Sequence, residues 1–141
     1  MAPQDLKQRR REDYGYILDY RTRWSDNDIY DSVVNTYLIE EGGMHPPTSA
    51  QYGLIVHSHG DFFGSIAFPA VAELALRVNK LGKSSVTYEV ALFERGVEEV
   101  KSVGELIHVF VERETGRPAS KGMDSKFRDA LQRILVKQSK L

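Results

Sequence analysis

The 141-residue sequence contains no cysteine. This absence excludes a disulfide framework, a thiolate zinc site and a cysteine nucleophile. Neither sign of charge is in excess, because 19 lysines and arginines face 20 aspartates and glutamates. A dedicated nucleic-acid-binding domain usually carries a basic excess, so we expect no nucleic-acid partner.

Long apolar runs are also lacking. The best candidate, residues 67–76, contains Pro69 and Glu73 and falls short of the roughly 20 residues that a membrane-spanning helix needs. We therefore expect no membrane span. The first 13 residues have no apolar core, which predicts a flexible leader over residues 1–15 rather than a secretory signal. The composition is typical of one globular domain, which we place at residues 16–137.

The remaining residues, 138–141, form a short tail that ends in Ser139-Lys140-Leu141. This tripeptide is the address that the peroxisomal import receptor reads at a C-terminus. In a eukaryotic source the sequence thus predicts that receptor as a partner and a peroxisomal location. In any other source we expect a cytoplasmic location.

The hydrophobic pattern predicts an alternation of strands and helices. Four segments have the composition or the alternation expected of strands: 16–24, 52–59, 85–94 and 100–113. Helical spacing of apolar residues predicts helices over residues 29–41 and 124–136. Residues 71–80 fit a strand and a helix equally well. The order of elements predicts an α+β domain in which helices cover one antiparallel sheet.

The residues Arg23-Trp24-Ser25-Asp26-Asn27-Asp28 are similar to an R-W-x-D-x-D motif, and residues 68–89 and 104–118 match two further segments of the same family. Together they resemble hot-dog acyl-CoA thioesterases of the 4-hydroxybenzoyl-CoA thioesterase-like branch. The resemblance covers residues 16–136. It implies an antiparallel sheet wrapped on a central helix, with a C-terminal helix, and it makes residues 71–80 a strand.

The resemblance also implies an activity in lipid metabolism, the hydrolysis of acyl-CoA to a carboxylic acid and CoA, without a separate cofactor. Asp28 matches the catalytic carboxylate of the family. A carboxylate can activate water or attack the thioester, and N–H groups at a helix start can stabilise the oxyanion. The structural alternative is that Asp26 or Asp28 caps the helix. We favour catalysis for Asp28 and a structural role for Asp26. A hot-dog hydratase would need a histidine on this helix, and none lies between Ile29 and Gly43.

The sequence departs from the family directly after Asp28, where the motif continues as x-x-G-H-x-N-N. In an ungapped alignment Asp31 and Ser32 replace Gly and His, and Asn35 matches the last Asn, with its backbone N–H as the oxyanion donor. We favour a gapped alignment that lacks about a dozen residues, because the roughly 27 residues before Ile55 leave too little room for five helical turns and an entry loop. The departure predicts weak hydrolysis. It leaves a catalytically inactive acyl-CoA-binding or interaction protein as the alternative.

Coenzyme A carries phosphates, which bind cations and exposed N–H groups. In the family, the turn after residue 80 lies near the coenzyme. The candidate CoA-binding residues are Arg77, Lys80, Lys83, Ser84 and Ser85. A polar, solvated strand connection explains the same residues equally well.

Two further expectations concern metals and assembly. His57 and His59 share one face of a predicted strand, but no third ligand is near them in the sequence, so we expect no metal site. Hot-dog chains usually pair edge to edge with the active site between subunits, and the resemblance therefore implies a homodimer or a homotetramer.

Overall fold

A computed structural model of the chain describes residues 6–21, 29–45, 48–64 and 71–136. The elements follow in the order β1 (Tyr16–Arg21), α1 (Ile29–Gly42), β2 (Gln51–Phe62), β3 (Val71–Leu81), β4 (Ser85–Glu94), β5 (Ser102–Glu112) and α2 (Ser125–Arg133). This is the α+β architecture that the order of elements predicts, in the hot-dog arrangement that the resemblance implies. Within the described ranges, no helix has both the length and the apolar character needed to cross a membrane.

The five strands form one antiparallel sheet in the order β1-β3-β4-β5-β2. Strands β1 and β2 are therefore its two edges. The register shifts at two irregularities, between Ile55 and His57 in β2 and between Val78 and Lys80 in β3. Because side chains alternate between the faces of a strand, these shifts decide which residues share a face.

Helix α1 packs on one face of the sheet, which we call the inner face. Its buried residues Val33, Val34, Tyr37 and Leu38 lie at helical spacing and join the main core with apolar residues of β3, β4, β5 and α2. The helix ends at Gly42, and Gly43 follows with a φ of 70°, which a residue with a side chain rarely adopts. Helix α2 begins where predicted, because the Asp124 side chain accepts a hydrogen bond from the Lys126 N–H.

Strand β3 explains why residues 71–80 were ambiguous by periodicity. Leu74, Leu76 and Val78 are fully buried on the inner face, and Ala75 is fully buried on the other face. A strand that lies between two others and is covered on both sides has a nearly continuous apolar pattern. The strand that the resemblance implied is confirmed.

The opposite, outer face of the sheet carries a smaller core made of Tyr14, Ala75, Ala91, Phe93, Val100 and Val103. From Leu6 onward, the segment predicted as a flexible leader lies against this face. Leu6 packs on the cluster, and the Tyr14 ring meets the Phe93 ring edge to face at 6.2 Å. Residues 6–14 therefore cover part of the outer face.

Candidate functional site

A cavity of about 670 Å³ lies between α1 and the beginning of the edge strand β2. Its lining residues come from three distant parts of the chain: Asn35, Ile39, Met44, Tyr52, Gly53 and Arg113. Asn35 and Ile39 are four residues apart and share one face of α1. The cavity is open to solvent and is bordered by a helix, a sheet edge and a cation.

The two predicted catalytic residues have different outcomes. Asn35 lines this cavity and its side chain is exposed. It lies six residues after Ile29, which places the start of α1 about 9 Å away along the helix axis. Asp28, together with the other residues of the R-W-x-D-x-D motif, lies outside the described residues.

Arg113 is a site residue that the sequence did not predict. Its Nε donates a hydrogen bond of 2.7 Å to the Ser49 carbonyl, and its guanidinium lies 5.2 Å from the centre of the Tyr52 ring. Both contacts depend on the pairing of β2 with β5, in which Gln51 stands opposite Glu112. The only signal in the sequence is its position at the end of an alternating segment, and that signal does not identify a site.

Gly53 separates the cavity from a buried histidine. A Cβ atom at residue 53 would lie only 2.8 Å from His108 Nδ1, so this position has no room for a larger residue. The His108 ring lies 5.1 Å from the Tyr88 ring and 6.4 Å from the Phe110 ring, and 2% of the residue is exposed. Burial lowers the pKa of His108 to about 4, so the imidazole is neutral at pH 7.

The turn between β3 and β4 carries most of the predicted CoA-binding residues. Lys80 and Lys83 are exposed, and Ser84 and Ser85 are partly buried. The backbone of the turn also holds other elements, since the Lys83 carbonyl accepts hydrogen bonds from the Met123 N–H and the Arg128 side chain. None of the five predicted residues lines the cavity that contains Asn35.

Arg77 lies on the outer face, in a second, polar cavity of about 460 Å³ that we call the outer groove. Its Nε donates to Asn79 Oδ1 at 2.7 Å and lies 3.7 Å from Glu89 Oε2. Much of its charge is therefore compensated by protein groups, which makes it a weaker phosphate ligand than the exposed lysines of the turn.

Glu89 is the centre of this polar cluster and is 5% exposed. It accepts two hydrogen bonds from the Arg9 guanidinium, at 2.8 and 3.1 Å, and one from the Tyr14 hydroxyl at 2.7 Å. Burial alone would raise the pKa of Glu89, but the hydrogen bonds from Arg9 and Tyr14, with the charge of Arg77, hold it below its usual value. Burial and the nearby carboxylate raise the pKa of Tyr14.

Comparisons with known proteins agree with this fold. A search among curated proteins found no match. Among solved structures, the PA5185 protein of Pseudomonas aeruginosa is 42% identical, with a TM-score of 0.84 over 92% of this chain and 98% of that chain. The SAV2348 protein of Staphylococcus aureus, solved in complex with CoA, is 12% identical, with a TM-score of 0.73 over 89% of each chain.

A third structure, a 1,4-dihydroxy-2-naphthoyl-CoA thioesterase from Synechocystis, is 10% identical and has a TM-score of 0.67 over 83% of this chain and 96% of that chain. At such low identity the last two structures show a shared fold. The model of the thioesterase superfamily matches residues 29–101, from the start of α1 to the residue before β5. Together with the 42% identical relative, this match shows that the chain belongs to the thioesterase superfamily.

Proposed function

We propose that this chain is an acyl-CoA thioesterase that hydrolyses acyl-CoA to a carboxylic acid and CoA. Membership of the superfamily supports a thioester hydrolase. The observation that carries the proposal is the cavity beside α1. Asn35 on the helix and the cation Arg113 at the end of β5 both line it. An apolar flank and a cation suit a substrate with an acyl chain and a phosphorylated leaving group.

In the proposed mechanism Asp28 is the catalytic carboxylate. Asp28 precedes Ile29 in the sequence, and the first N–H groups of a helix have no intrahelical partners. The carboxylate takes a proton from water while the oxygen of that water adds to the thioester carbonyl. N–H groups at the positive end of the helix stabilise the oxyanion, which then collapses and expels the CoA thiolate.

For the CoA phosphates we propose the exposed cations Lys80 and Lys83, with the N–H and hydroxyl groups of Ser84 and Ser85 beside them. Arg77 belongs to the same predicted set, but its contacts with Glu89 and Asn79 make its contribution the smallest. Arg113 offers another cation, at the cavity itself.

Weak turnover is part of the proposal. In the favoured alignment the G-H-x-N-N segment that carries oxyanion donors is missing. The alternative function, acyl-CoA binding without hydrolysis, is favoured by the same observation.

Thiol release from a panel of acyl-CoA substrates, combined with calorimetry of CoA binding, tests the proposal. We expect slow hydrolysis that falls by about 10²–10⁴-fold in Asp28→Asn, because a general base is lost. The matched control is Asp129→Asn, an exposed carboxylate on α2, which should keep the activity. If the chain binds CoA but shows no Asp28-dependent turnover, the alternative function is supported. If it shows no CoA binding and no turnover, both proposed functions are overturned.

The cause of weak turnover has its own test. A chain with a G-H-x-N-N segment inserted after Asp28 should hydrolyse the same substrates faster than the chain itself. Turnover by the chain itself at a rate typical of acyl-CoA thioesterases, and no gain on insertion, would show that no functional segment is missing.

We also propose that the chain assembles as a homodimer or a homotetramer. The cavity with Asn35 lies beside β2, an edge of the sheet, so a second copy placed along this edge would enclose it.

A further inference from the structure

Three side chains of kinds that bind metals meet on the outer face of the sheet. One donor atom from each of His57, His59 and Glu105 lies within 4.8 Å of the other two. His57 Nε2 is 3.3 Å from His59 Nδ1. Two nitrogen ligands of a tetrahedral zinc ion stand about 3.3 Å apart, given bonds of about 2.0–2.1 Å. The two imidazoles thus already have the spacing of ligands.

The pairing of β2 with β5 creates this cluster. His57 and His59 are two residues apart in β2 and point to the same face. After the register shift in β2, His59 stands directly opposite Glu105 of β5, and cross-strand partners lie side by side. The sequence offered no third ligand because Glu105 is distant along the chain. The sheet supplies it.

The surroundings of the cluster are also suitable for a cation. The two histidines are exposed and Glu105 is half-buried, so an ion has a path to all three. Asp61 follows on the same face of β2 and, with His59 and Glu105, lines one side of the outer groove. The arginines on its other side, Arg9 and Arg77, are occupied by Glu89.

We propose that His57, His59 and Glu105 bind one divalent transition-metal ion of the zinc type. Two imidazoles and a carboxylate suit zinc and similar ions, whereas magnesium and calcium prefer oxygen ligands alone. The donors converge with small movements of the two exposed histidines, and at least one coordination position remains for water. The ion links the edge strand β2 to β5. It lies on the side of the sheet opposite α1, so the site is separate from the proposed thioesterase site.

Calorimetric titration of the full chain without an affinity tag, using zinc chloride and then magnesium chloride, tests this site. We expect saturable binding of one zinc ion per chain, no comparable binding of magnesium, and a higher Tm with zinc. His59→Ala and Glu105→Gln should each weaken zinc binding by roughly tenfold or more. His45→Ala is the matched control, because it removes an exposed histidine outside the cluster and should leave binding unchanged.

Other outcomes would overturn the proposal. These are the absence of saturable zinc binding and an equal loss of zinc affinity in His45→Ala. A stoichiometry of one ion per two chains would also overturn it, because the ligands would then come from two copies. Cobalt binding is measured on the unaltered chain, so this readout does not require any variant to fold. A visible spectrum typical of nitrogen and oxygen ligands is expected, and no such spectrum would contradict the site. Thioester hydrolysis plays no part in these readouts, so the two proposals fail independently.

Discussion

The charge of His108 is determined by the side chains around it. The residue belongs to β5 but points into the inner-face core, where the Tyr88 and Phe110 rings flank it. An imidazolium there would lose its hydration, and this cost lowers the pKa to about 4. This buried histidine therefore makes the fold sensitive to acid.

We predict that the free energy of unfolding falls as the pH decreases from 6.5 towards 4. The unfolded chain takes up a proton near pH 6.5 and the folded chain only near pH 4, so acid favours unfolding across this window. The loss approaches about 3 kcal/mol at the acid end. Urea unfolding at pH 7.0, 5.5 and 4.8 measures it. His108→Leu should reduce the dependence of the unfolding free energy on pH, and His45→Ala should not. An unchanged pH dependence in His108→Leu would contradict this account.

At the scale of elements, one buried carboxylate holds two residues of the N-terminal segment to the sheet. Arg9 and Tyr14 both donate to Glu89 in the middle of β4, and Arg77 and Asn79 contact it from β3. A buried ion pair contributes little relative to an apolar replacement, but the removal of one partner leaves the other charge buried and unpaired. The attachment is therefore sensitive to a single neutral substitution.

We predict that Glu89→Gln destabilises the fold by about 3–5 kcal/mol, because Arg9 and Arg77 lose their counter-charge. The exposed pair of Asp19 with Arg95 is the matched control, and Asp19→Asn should cost about 1 kcal/mol or less. Denaturant midpoints at pH 7 measure both. Since the pKa of Glu89 is lowered, its contribution is present above pH 4.5 and disappears as the pH falls further. Equal effects of the two substitutions would contradict this role.

Most elements could be predicted from the sequence because their patterns are local. Alternation in 85–94 and helical spacing in 29–41 indicate one buried side each, and both segments form the predicted elements. The packing of residues 6–14 could not be predicted in this way. It depends on Arg9 and Tyr14 meeting Glu89, a residue far along the chain, and no local pattern encodes such a pairing.

At the scale of the whole molecule, the same limit applies to the sites. Asn35 could be proposed from a motif alignment, but Arg113 reaches the cavity only through the pairing of β2 with β5. That pairing also brings Glu105 to His59. A local pattern indicates residues within one segment, whereas the fold brings together segments that lie far apart in the sequence.

The edge strand β2 determines how whole molecules meet. It has 12 residues and exposes Leu54, Ile55 and Val56, each by 43% or more. A long apolar edge is a site of strand pairing unless charge protects it. The other edge is better protected, because Asp19 on β1 pairs with Arg95.

We therefore predict that Val56→Lys converts the assembled protein to monomers. A lysine in the middle of this edge places charge where a second copy would pair, while the exposure of Val56 means that the folded monomer tolerates it. Sedimentation velocity at micromolar concentration measures the change. The matched control, Ile17→Lys, alters an exposed residue on the opposite edge and should leave the assembly intact. Dissociation by Ile17→Lys instead would place the contact on β1, and the Asn35 cavity would then remain open in the assembly.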